Sequence, residues 1–277
     1  MEIAVKRSVT SIALALAAAF GMGTAQAATT YFGEDINNSA TDALSATPLS
    51  NAASTSFLGT LTGVGTETFE SQTTGATGPL SLSFPGATGS LSATLSGGAG
   101  AIAEVPAGQT TNGAGRYSVP SAGSTKFWEV GAGEAGDFRI TFSEDVGAFG
   151  FYGIDIGDLG GQLSLQLLDA NGGVVGQNIL VNNSQGNDGS VLFFGYVASS
   201  TTDVFRSIRF LTTTGAGDFF AFDNFTVGTY CQITAIDCGT TPPDGGGGGG
   251  GTVPEPATLA LVAAALGGLR LTQRRRA

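Results

Sequence analysis

Histidine is absent from this chain of 277 residues. Nucleophilic catalysis by Ser-His-Asp or Cys-His groups depends on an imidazole that accepts and returns a proton, so the sequence excludes both mechanisms. A hydrolase would have to use paired carboxylates. The acids considered for such a pair are Glu144, Asp145, Asp155, Asp158 and Asp218. None lies in a motif that indicates a raised pKa or a paired geometry, and we therefore expect no enzymatic activity.

Positive charge is also scarce. The chain has 11 basic and 22 acidic residues, a net charge of −11, and only 12% of its residues are charged. Such a surface repels nucleic acid and anionic lipid, and it offers oxygen ligands to hard cations such as calcium. No glycine opens a strand-to-helix unit with a following lysine, so phosphate-loop and dinucleotide fingerprints are missing.

The first 27 residues have the three parts of a secretory signal peptide. Lys6 and Arg7 precede an apolar run at 9–20, and a small-residue stretch ends in Ala25-Gln26-Ala27. We predict a signal helix and cleavage after Ala27. The alternative is an N-terminal core helix, against which the charged and small-residue flanks argue.

The end of the chain also has three parts in a fixed order. They are the triplet Pro254-Glu255-Pro256, an apolar run at 259–269, and an arginine cluster that includes Arg274, Arg275 and Arg276. Residues 253–277 resemble the PEP-CTERM sorting signal. The resemblance implies a Gram-negative cell envelope and cleavage by an exosortase-type membrane protease near the Pro-Glu-Pro motif. The apolar run is shorter than the roughly 20 residues that cross hydrocarbon, so we expect a short transmembrane helix that anchors transiently. The alternative is an ordinary anchor helix without processing.

The chain has two cysteines, Cys231 and Cys238, seven positions apart. Two thiols without histidine make a poor zinc site. In an exported chain a disulfide is the natural interpretation, and it would close a small loop after the last strand. We assign this loop and a glycine linker, Gly245–Gly251, to a connecting segment at 229–252.

Short apolar or alternating runs divided by Gly, Asn and Asp fill the centre of the chain, and none between residues 28 and 250 predicts a convincing amphipathic helix. The predicted strands are 66–69, 80–84, 91–95, 116–119, 138–142, 148–156, 163–167, a hairpin partner from 174 after the turn at 169–173, 191–197, 205–210 and 219–227. We predict an all-β fold, an antiparallel β-sandwich of the jelly-roll type at 57–228. An N-terminal arm or loose first segment with short strand pieces, at 28–56, precedes it.

Two strand motifs resemble the opening and closing strands of galactose-binding-like carbohydrate modules. They are Glu67-Thr68-Phe69-Glu70 and the run Phe220–Val227, which contains Phe222-Asp223-Asn224. In that family the two strands lie close together, and a buried acid from each holds a structural calcium. The resemblance implies that Glu70 and Asp223 are calcium ligands here. The alternative is that both acids lie at strand edges and are solvated.

Residues 151–161, together with Phe193-Phe194-Gly195 and the Phe222-Asp223 strand, resemble a recurrent segment of PEP-CTERM surface proteins. Within it Asp155 and Asp158 flank a glycine turn, where they are candidates to bind a cation or sugar hydroxyls. The alternative, which we favour, is that the aspartates stabilise the turn through their own backbone.

A third candidate feature is aromatic. Trp128 follows Lys126-Phe127, and Tyr117 lies nearby in sequence. Exposed aromatic rings stack on sugars, so these residues are candidates for a glycan platform. The commoner position of a lone tryptophan in a sandwich is the core, which is the interpretation we favour.

These features predict an exported, non-enzymatic structural or binding β-sandwich associated with exopolysaccharide. We expect it at the outer surface, in the periplasm or in the extracellular matrix. Its expected partners during export are signal peptidase and the exosortase-type protease, with membrane contact only through the tail before processing. The alternative function is a carbohydrate-binding adhesin with a calcium-stabilised jelly roll, and a carboxylate-dependent polysaccharide hydrolase is the third. We expect no nucleic-acid partner and no cofactor besides structural calcium.

Overall fold

A computed structural model describes residues 27–37, 39, 41–111, 116–119, 124–132, 137–212, 218–236 and 238. The chain divides into two compact units, Met1–Asp237 and Cys238–Ala277, and every strand and helix given below belongs to the first unit. The signal peptide to Gln26, the glycine linker and the sorting tail lie outside the described residues.

The first unit contains two antiparallel sheets. The seven-stranded sheet has the spatial order β1 (Thr29–Asp35), β11 (Val191–Val197), β8 (Ala148–Ile154), β13 (Asp218–Gly228), β6 (Lys126–Ala132) and β5 (Ala101–Glu104), while β2 (Gly65–Glu67) pairs with the end of β13. The six-stranded sheet has the order β10 (Ile179–Leu180), β9 (Leu163–Leu168), β12 (Phe205–Thr212), β7 (Arg139–Val146), β4 (Ser90–Ser96) and β3 (Leu80–Pro85). This confirms the predicted antiparallel sandwich, whereas its jelly-roll topology stays a prediction.

Phenylalanine rings fill the space between the sheets. Phe151 of β8 lies 5.5 Å from Phe210 of β12, measured between ring centroids, and Phe222 of β13 lies 5.2 Å from the same ring. Phe149 and Phe142 make a further contact across the sheets at 6.2 Å. Because aromatic side chains bury more apolar area than any others, this cluster holds the sheets together.

The two sheets differ in what covers their outer faces. Along β3 and β4 buried Leu and Phe alternate with exposed Ser, as expected for a sheet with one face in water. By contrast, every residue of β8 and β11 is buried, as the sequence predicts for the run from Ala148. The outer face of the seven-stranded sheet therefore has a second layer of protein over it.

Part of that layer is a helix, α1 (Pro48–Leu58). The Asp35 carboxylate at the end of β1 accepts hydrogen bonds from the first turn, from Leu49 N at 3.0 Å and Ser50 N at 2.8 Å. A buried carboxylate here satisfies N–H groups that a helix start leaves without partners. Proline at the start of α1 suits a position that donates no hydrogen bond.

Phe57, near the end of α1, packs on two glycines. A Cβ atom at Gly150 of β8 or at Gly195 of β11 would lie 2.6 Å from the Phe57 ring. The ring is fully buried, so the two glycines provide the close approach that it needs.

These elements correct the N-terminal arm predicted at 28–56. Its residues form β1, which pairs with β11 at the edge of the sheet, and most of α1. The prediction missed the helix because Phe57 is its one large, fully buried apolar side chain, which leaves little helical periodicity in the sequence. The predicted strand at 116–119 is also wrong, since the segment is unpaired. Within the described residues, no helix is long and apolar enough to cross a membrane.

Candidate functional site

The structure brings Glu70 and Asp223 into one hydrogen-bonded group. Glu70 follows β2, and Asp223 lies within β13, the strand to which β2 is paired. Between the two carboxylates lie Ser118 and Ser124, whose hydroxyl oxygens are 2.5 Å apart. We call these four side chains the carboxylate–serine chain.

Asp223 is fully buried on the outer face of the seven-stranded sheet. Its Oδ2 atom is 2.7 Å from Ser118 Oγ and accepts a hydrogen bond from Val119 N at 3.0 Å, while Oδ1 accepts one from Asn224 N at 2.7 Å. Burial raises the pKa of Asp223 to about 7, against the effect of these donors, and the negative charge of Glu70 adds to the rise.

Glu70 is partly buried and has more donors. Its Oε1 atom accepts hydrogen bonds from Thr125 N and Lys126 N, both at 2.8 Å, and lies 3.1 Å from Ser124 Oγ. Thr125 Oγ1 donates to Oε2 at 3.2 Å. Burial alone would raise the pKa of Glu70, but the donated hydrogen bonds outweigh it and hold the pKa below its usual value.

This arrangement does not fit a calcium ion between Glu70 and Asp223. Calcium needs six to eight oxygen ligands with free lone pairs. Here N–H and O–H groups point their hydrogens at the carboxylates, and the Lys126 ammonium donates to the backbone oxygens of Glu70 and Gln72 at 3.2 and 2.7 Å. The residues implied by the resemblance are together, but their donors take the places that a cation would need.

A second group of acids lies in the loops beside β8 and β11. Oxygen atoms of Asp155, Asp158 and Asp188, one from each residue, lie within 4.8 Å of one another, and we call these residues the aspartate cluster. Asp218 at the start of β13 interacts with it electrostatically. The ion pairs described in the structure, Arg116–Glu129, Arg206–Asp145 and Arg209–Asp137, engage other acids. No described cationic side chain is thus paired with the aspartate cluster.

Asp155 is the buried member of the cluster, 1% exposed. Its backbone is left-handed, with φ of 63°, and its Oδ1 atom accepts a hydrogen bond from Gly189 N at 2.7 Å. Burial raises the pKa of Asp155 to about 8, and the charges of Asp158, Asp218 and Asp188 add to the rise. Burial and the charge of Asp188 also raise the pKa of Asp158. Such a group needs either protons or a cation to relieve its repulsion.

Local backbone interactions still account for part of the turn at these aspartates. Leu159 N donates to the Asp158 carboxylate at 2.7 Å, which is the turn chemistry that we favoured from the sequence. What the sequence did not indicate is Asp188, which comes from a different loop and completes the cluster. Asp155, Asp158 and Asp218, three of the acids considered for hydrolysis, are brought together, whereas Glu144 and Asp145 lie on β7.

The aromatic candidates are both buried. Trp128 is 0% exposed, and its ring lies against Gly100 and Phe138, as the core interpretation predicted. The Tyr117 hydroxyl donates to the Gly189 carbonyl at 2.5 Å and accepts a hydrogen bond from Leu44 N. Burial raises the pKa of Tyr117 to about 12. Neither ring is available to stack on a sugar.

The two cysteines, Cys231 and Cys238, are both disulfide-bonded. Cys231 belongs to a 3-10 turn, Tyr230–Gln232, that follows β13, where the sequence predicted a closed loop. Of the cleavage motif, Ala25 lies outside the described residues and Ala27 is the first of them. The sorting residues Pro254, Glu255, Pro256, Arg274, Arg275 and Arg276 also lie outside them.

Sequence reasoning missed one surface, the outer face of the six-stranded sheet. Most outward-facing side chains on neighbouring strands β3, β4 and β7 carry hydroxyl groups, although β7 also exposes Arg139 and Asp145. We call the hydroxyl-bearing part of this surface the hydroxyl face. Its members are Ser81, Ser83, Ser90, Ser92, Thr94, Thr141 and Ser143. The signal was present in the alternation of Ser or Thr with apolar residues along β3, β4 and the middle of β7.

The hydroxyl face is a regular array. Ser81 lies opposite Thr94, which lies opposite Thr141, so three hydroxyls form a row across the strands. Ser83 and Ser92 begin a second row, to which Ser143 is joined by the hydrogen bond from Ser92 N at 3.0 Å. Rows on one face repeat about every 7 Å along the strands, and neighbours within a row are about 5 Å apart.

No protein-family model and no curated protein matches the chain. Among solved structures, it is similar to the K1 cleaved adhesin domain of Lys-gingipain from Porphyromonas gingivalis W83, with 8% identity over 60% of this chain and 98% of that one, and a TM-score of 0.34. It is also similar to the K2 cleaved adhesin domain of Lys-gingipain (12% identity, 59% and 98%, TM-score 0.35). A third is TmCBM61 in complex with β-1,4-galactotriose, with 14% identity over 49% of this chain and 86% of that one, and a TM-score of 0.24. At these TM-scores the similarities carry no functional conclusion.

Proposed function

We propose that this chain is an exported cell-surface or extracellular-matrix protein whose β-sandwich binds exopolysaccharide without catalysing a reaction. An exosortase-type protease would sort it through residues 253–277. The observation that carries the binding role is the hydroxyl face. The disulfide-bonded state of both cysteines supports the export, because disulfides persist mainly in oxidising compartments outside the cytosol.

The chemistry of the hydroxyl face suits a polyhydroxylated polymer. A solvated sheet face usually includes charged residues, which also protect an edge strand from pairing with other chains. Here β3 is an edge strand, yet its exposed residues and those of β4 are serine, threonine and proline. Each hydroxyl both donates and accepts hydrogen bonds, as sugar hydroxyls do, and along β3 and β4 no charge has to be desolvated on contact. The exposed charges, Arg139 and Asp145, lie on β7.

The binding role is tested with exopolysaccharide from the native envelope and a panel of purified glycans. We expect the double substitution Ser92→Glu and Thr141→Glu to weaken binding at least tenfold, because two charges on neighbouring strands would have to lose water on contact. Thr201→Glu adds a charge at an exposed turn and is the matched control, for which we expect unchanged affinity. No binding by the native protein to any glycan, or full binding by the double variant, would refute the role.

Export, sorting and the absence of catalysis need separate measurements. Mass spectrometry of the protein from its native envelope should show an N-terminus at Ala28 and loss of the residues after the Pro-Glu-Pro motif. An intact tail would contradict the sorting proposal while leaving the binding role open. Incubation of the bound polysaccharide with the protein should release no new reducing ends.

The second candidate function is a carbohydrate-binding adhesin with a calcium-stabilised jelly roll, and the aspartate cluster favours it. The calcium would lie among Asp155, Asp158 and Asp188 rather than at the pair implied by the resemblance. Extracellular calcium sites often bind in the millimolar range, so a site with three carboxylates suits that environment. We expect millimolar calcium at pH 8 to raise the Tm by several degrees relative to EGTA. Asp188→Asn should abolish this response and Glu144→Gln should retain it, whereas equal melts with calcium and EGTA would exclude this candidate.

A further inference from the structure

The strands at the ends of the two sheets differ in how their free edges are protected. Such a strand presents N–H and C=O groups to water along one side, and these groups can pair with a strand of another chain. The strands at the ends are β1 and β5 in the seven-stranded sheet, and β10 and β3 in the six-stranded sheet. Of these, β5, β10 and β3 each have a feature that limits pairing.

The protecting feature is different at each of the three edges. At β5 the preceding loop takes up the edge, since Gly75 N donates to the Ile102 carbonyl and Ile102 N donates to the Ala76 carbonyl, both at 2.8 Å. Strand β10 has only two residues. Strand β3 lies between Pro79 and Pro85, neither of which has an N–H group. These edges therefore offer another chain a short ladder at most.

The backbone of β11 shows which residues of β1 face outward. Just beyond the two ends of β11, Asp155 N donates to the Ser190 carbonyl at 3.0 Å, and Ala198 N donates to the Gly147 carbonyl at 2.7 Å. In an antiparallel sheet, residues that bond to one neighbouring strand alternate with residues that bond to the other. The even-numbered residues of β11 therefore bond to β8, and the odd-numbered ones bond to β1.

The same alternation leaves three residues of β1 with their backbone groups at the free edge. Odd-numbered residues of β1 lie opposite odd-numbered residues of β11 and bond to them. The N–H and C=O groups of Thr30, Phe32 and Glu34 consequently point away from the sheet. No backbone or side-chain group of the described residues bonds to them. The whole length of this edge is thus available for pairing.

Apolar side chains lie beside this edge. Phe32 is 40% exposed, and Leu49 at the start of α1 is 59% exposed. A Cβ atom at Gly33 would clash with the Leu49 carbonyl, so the first turn of α1 rests directly on β1. The Glu34 carboxylate accepts hydrogen bonds from Ser184 N and Oγ at 2.9 and 2.7 Å. A strand added at this edge would therefore cover apolar surface, while the nearest charge already has donors.

We propose that β1 pairs with β1 of a second copy of this chain, antiparallel and with a two-fold axis beside Phe32. Phe32 then lies opposite Phe32 of the second copy, and Thr30 lies opposite Glu34. Each of these opposite pairs exchanges two N–H···O hydrogen bonds, which uses every outward backbone group of the edge. The seven-stranded sheets of the two copies become one continuous sheet.

The residue pattern of β1 favours its own copy as the occupant. An antiparallel pair about Phe32 brings two exposed aromatic rings together, and cross-strand aromatic pairs stabilise a sheet. It also places the two Glu34 residues at opposite ends of the ladder, whereas an in-register parallel pair would place them side by side. Because both copies use the same edge, the contact is closed and the association stops at the dimer.

The size and charge of this contact predict how the dimer behaves in solution. The contact is one strand wide, so we expect a small interface and a Kd in the micromolar range or weaker. The chain has a net charge of −11, and salt screens the repulsion between two such copies. We therefore expect dimerisation to strengthen as salt is added. The dimer does not depend on the polysaccharide binding proposed above.

The first test is sedimentation equilibrium of the purified full chain over a hundredfold range of concentration. We expect a monomer–dimer equilibrium for the native chain and a Kd at least tenfold higher for Phe32→Pro, because both N–H groups of the central pair and the ring contact are lost. The bonds between β1 and β11 should survive, since proline is tolerated where the N–H of an edge strand faces solvent.

Ser83→Pro is the matched control on the edge of β3. Gly86 N donates to the Gly89 carbonyl at 2.8 Å, so the even-numbered residues of β3 bond to β4 and the Ser83 N–H points outward. We expect its Kd to equal that of the native chain. A native chain that stays monomeric would overturn the proposal and leave the β1 edge to an extended segment of another protein. Native-like dimerisation of Phe32→Pro would overturn it as well.

A charge exchange tests the two-fold axis and does not rely on proline. Phe32→Lys and Phe32→Glu each place two like charges opposite each other, so we expect each variant alone to be monomeric. An equal mixture should form a heterodimer, because lysine of one copy then lies opposite glutamate of the other. Singly monomeric variants that stay monomeric when mixed would show that residue 32 does not lie at the axis, and the proposed pairing would be wrong.

Discussion

Asp223 and Asp155 are both almost completely buried, and both have a raised pKa, but their surroundings differ. Asp223 lies in the middle of β13 beside a serine hydroxyl and two backbone N–H groups. Asp155 follows the end of β8, accepts one N–H group, and lies near Asp158 of its own loop and Asp188 of a second loop. The carboxylate–serine chain is thus rich in donors, and the aspartate cluster is rich in acceptors.

The difference shows two ways in which a fold accommodates acidic groups away from water. In the carboxylate–serine chain, hydroxyl and backbone N–H groups donate to both carboxylates. In the aspartate cluster there are more carboxylates than donors, so relief of the repulsion between their charges requires several protons or a bound cation. The sequence resemblance implied calcium at the first group, whereas our second candidate function would have it at the aspartate cluster.

Truncation should separate the two groups most strongly. Asp223→Ala leaves the Ser118 hydroxyl and the N–H groups of Val119 and Asn224 buried without an acceptor, and we expect it to lower the free energy of unfolding by about 3 kcal/mol. Asp188→Ala removes a partly exposed charge from a repelling group, and in EGTA we expect a change within about 0.5 kcal/mol. Urea unfolding of both variants measures the difference. Equal losses of unfolding free energy would show that the aspartate cluster is as tightly hydrogen-bonded as the carboxylate–serine chain.

The pH dependence of stability has the same sign in both groups. An unfolded aspartate ionises near pH 4, whereas folded Asp223 and Asp155 hold their protons up to about pH 7 and 8. The unfolded state therefore binds fewer protons in this window, and stability is lost as the pH rises through the folded values. In EGTA we expect the Tm at pH 9 to be at least about 5 °C below that at pH 5, because each pH unit between 5 and a folded pKa contributes about 1.4 kcal/mol.

Calorimetry of Asp223→Asn and Asp155→Asn sharpens this prediction. Each variant should have a smaller fall in Tm between pH 5 and 9 than the native protein, because each lacks one of the two titrating groups. Added calcium should reduce the fall through Asp155 alone, since a cation favours ionised carboxylates. A Tm that rises between pH 5 and 9 would contradict the raised pKa of both Asp223 and Asp155.

The smallest expected effects on stability come from replacing the partly exposed acids with their amides. Glu70→Gln should cost about 1 kcal/mol, because a neutral amide is a weaker acceptor for the Thr125 and Lys126 N–H groups. Asp158→Asn should gain about 0.5 kcal/mol in EGTA at pH 8, because it removes one of the mutually repelling charges. Denaturant unfolding of the two variants side by side checks the opposite signs, and two losses would contradict the repulsion in the aspartate cluster.

The sandwich itself was predictable because its strands have a strong local pattern. Alternation along Leu80–Pro85 and the fully apolar run from Ala148 depend only on neighbours in sequence, and both became the expected strands. The start of the fold was not predictable in this way. Helix α1 has little apolar periodicity, and its position is set by Phe57 resting on glycines of two distant strands.

The sites were predictable to different degrees for the same reason. The pairing of β2 with β13 places Glu70 near Asp223, as the two strand motifs implied. The serines that join the two acids come from a segment that lies between them in sequence and carries no motif. The sequence therefore could not predict that hydroxyl groups, rather than a cation, lie between the two carboxylates. Asp188 likewise lies in a loop far from Asp155, and only the pairing of β8 with β11 brings the two loops together.

The contact of Phe57 with Gly150 and Gly195 also has a consequence for the order of folding events during the export that we propose. If the chain crosses the membrane from its N-terminus, Phe57 emerges well before either glycine. The ring then has no place to bind until β8 and β11 have both followed and paired, and contacts between distant parts of a chain form slowly. During this interval a large aromatic side chain stays in water, where other unfinished chains can reach it. Helix α1, the earliest helix among the described residues, is therefore one of the last elements to pack in its final position, and the period of greatest aggregation risk ends when it does.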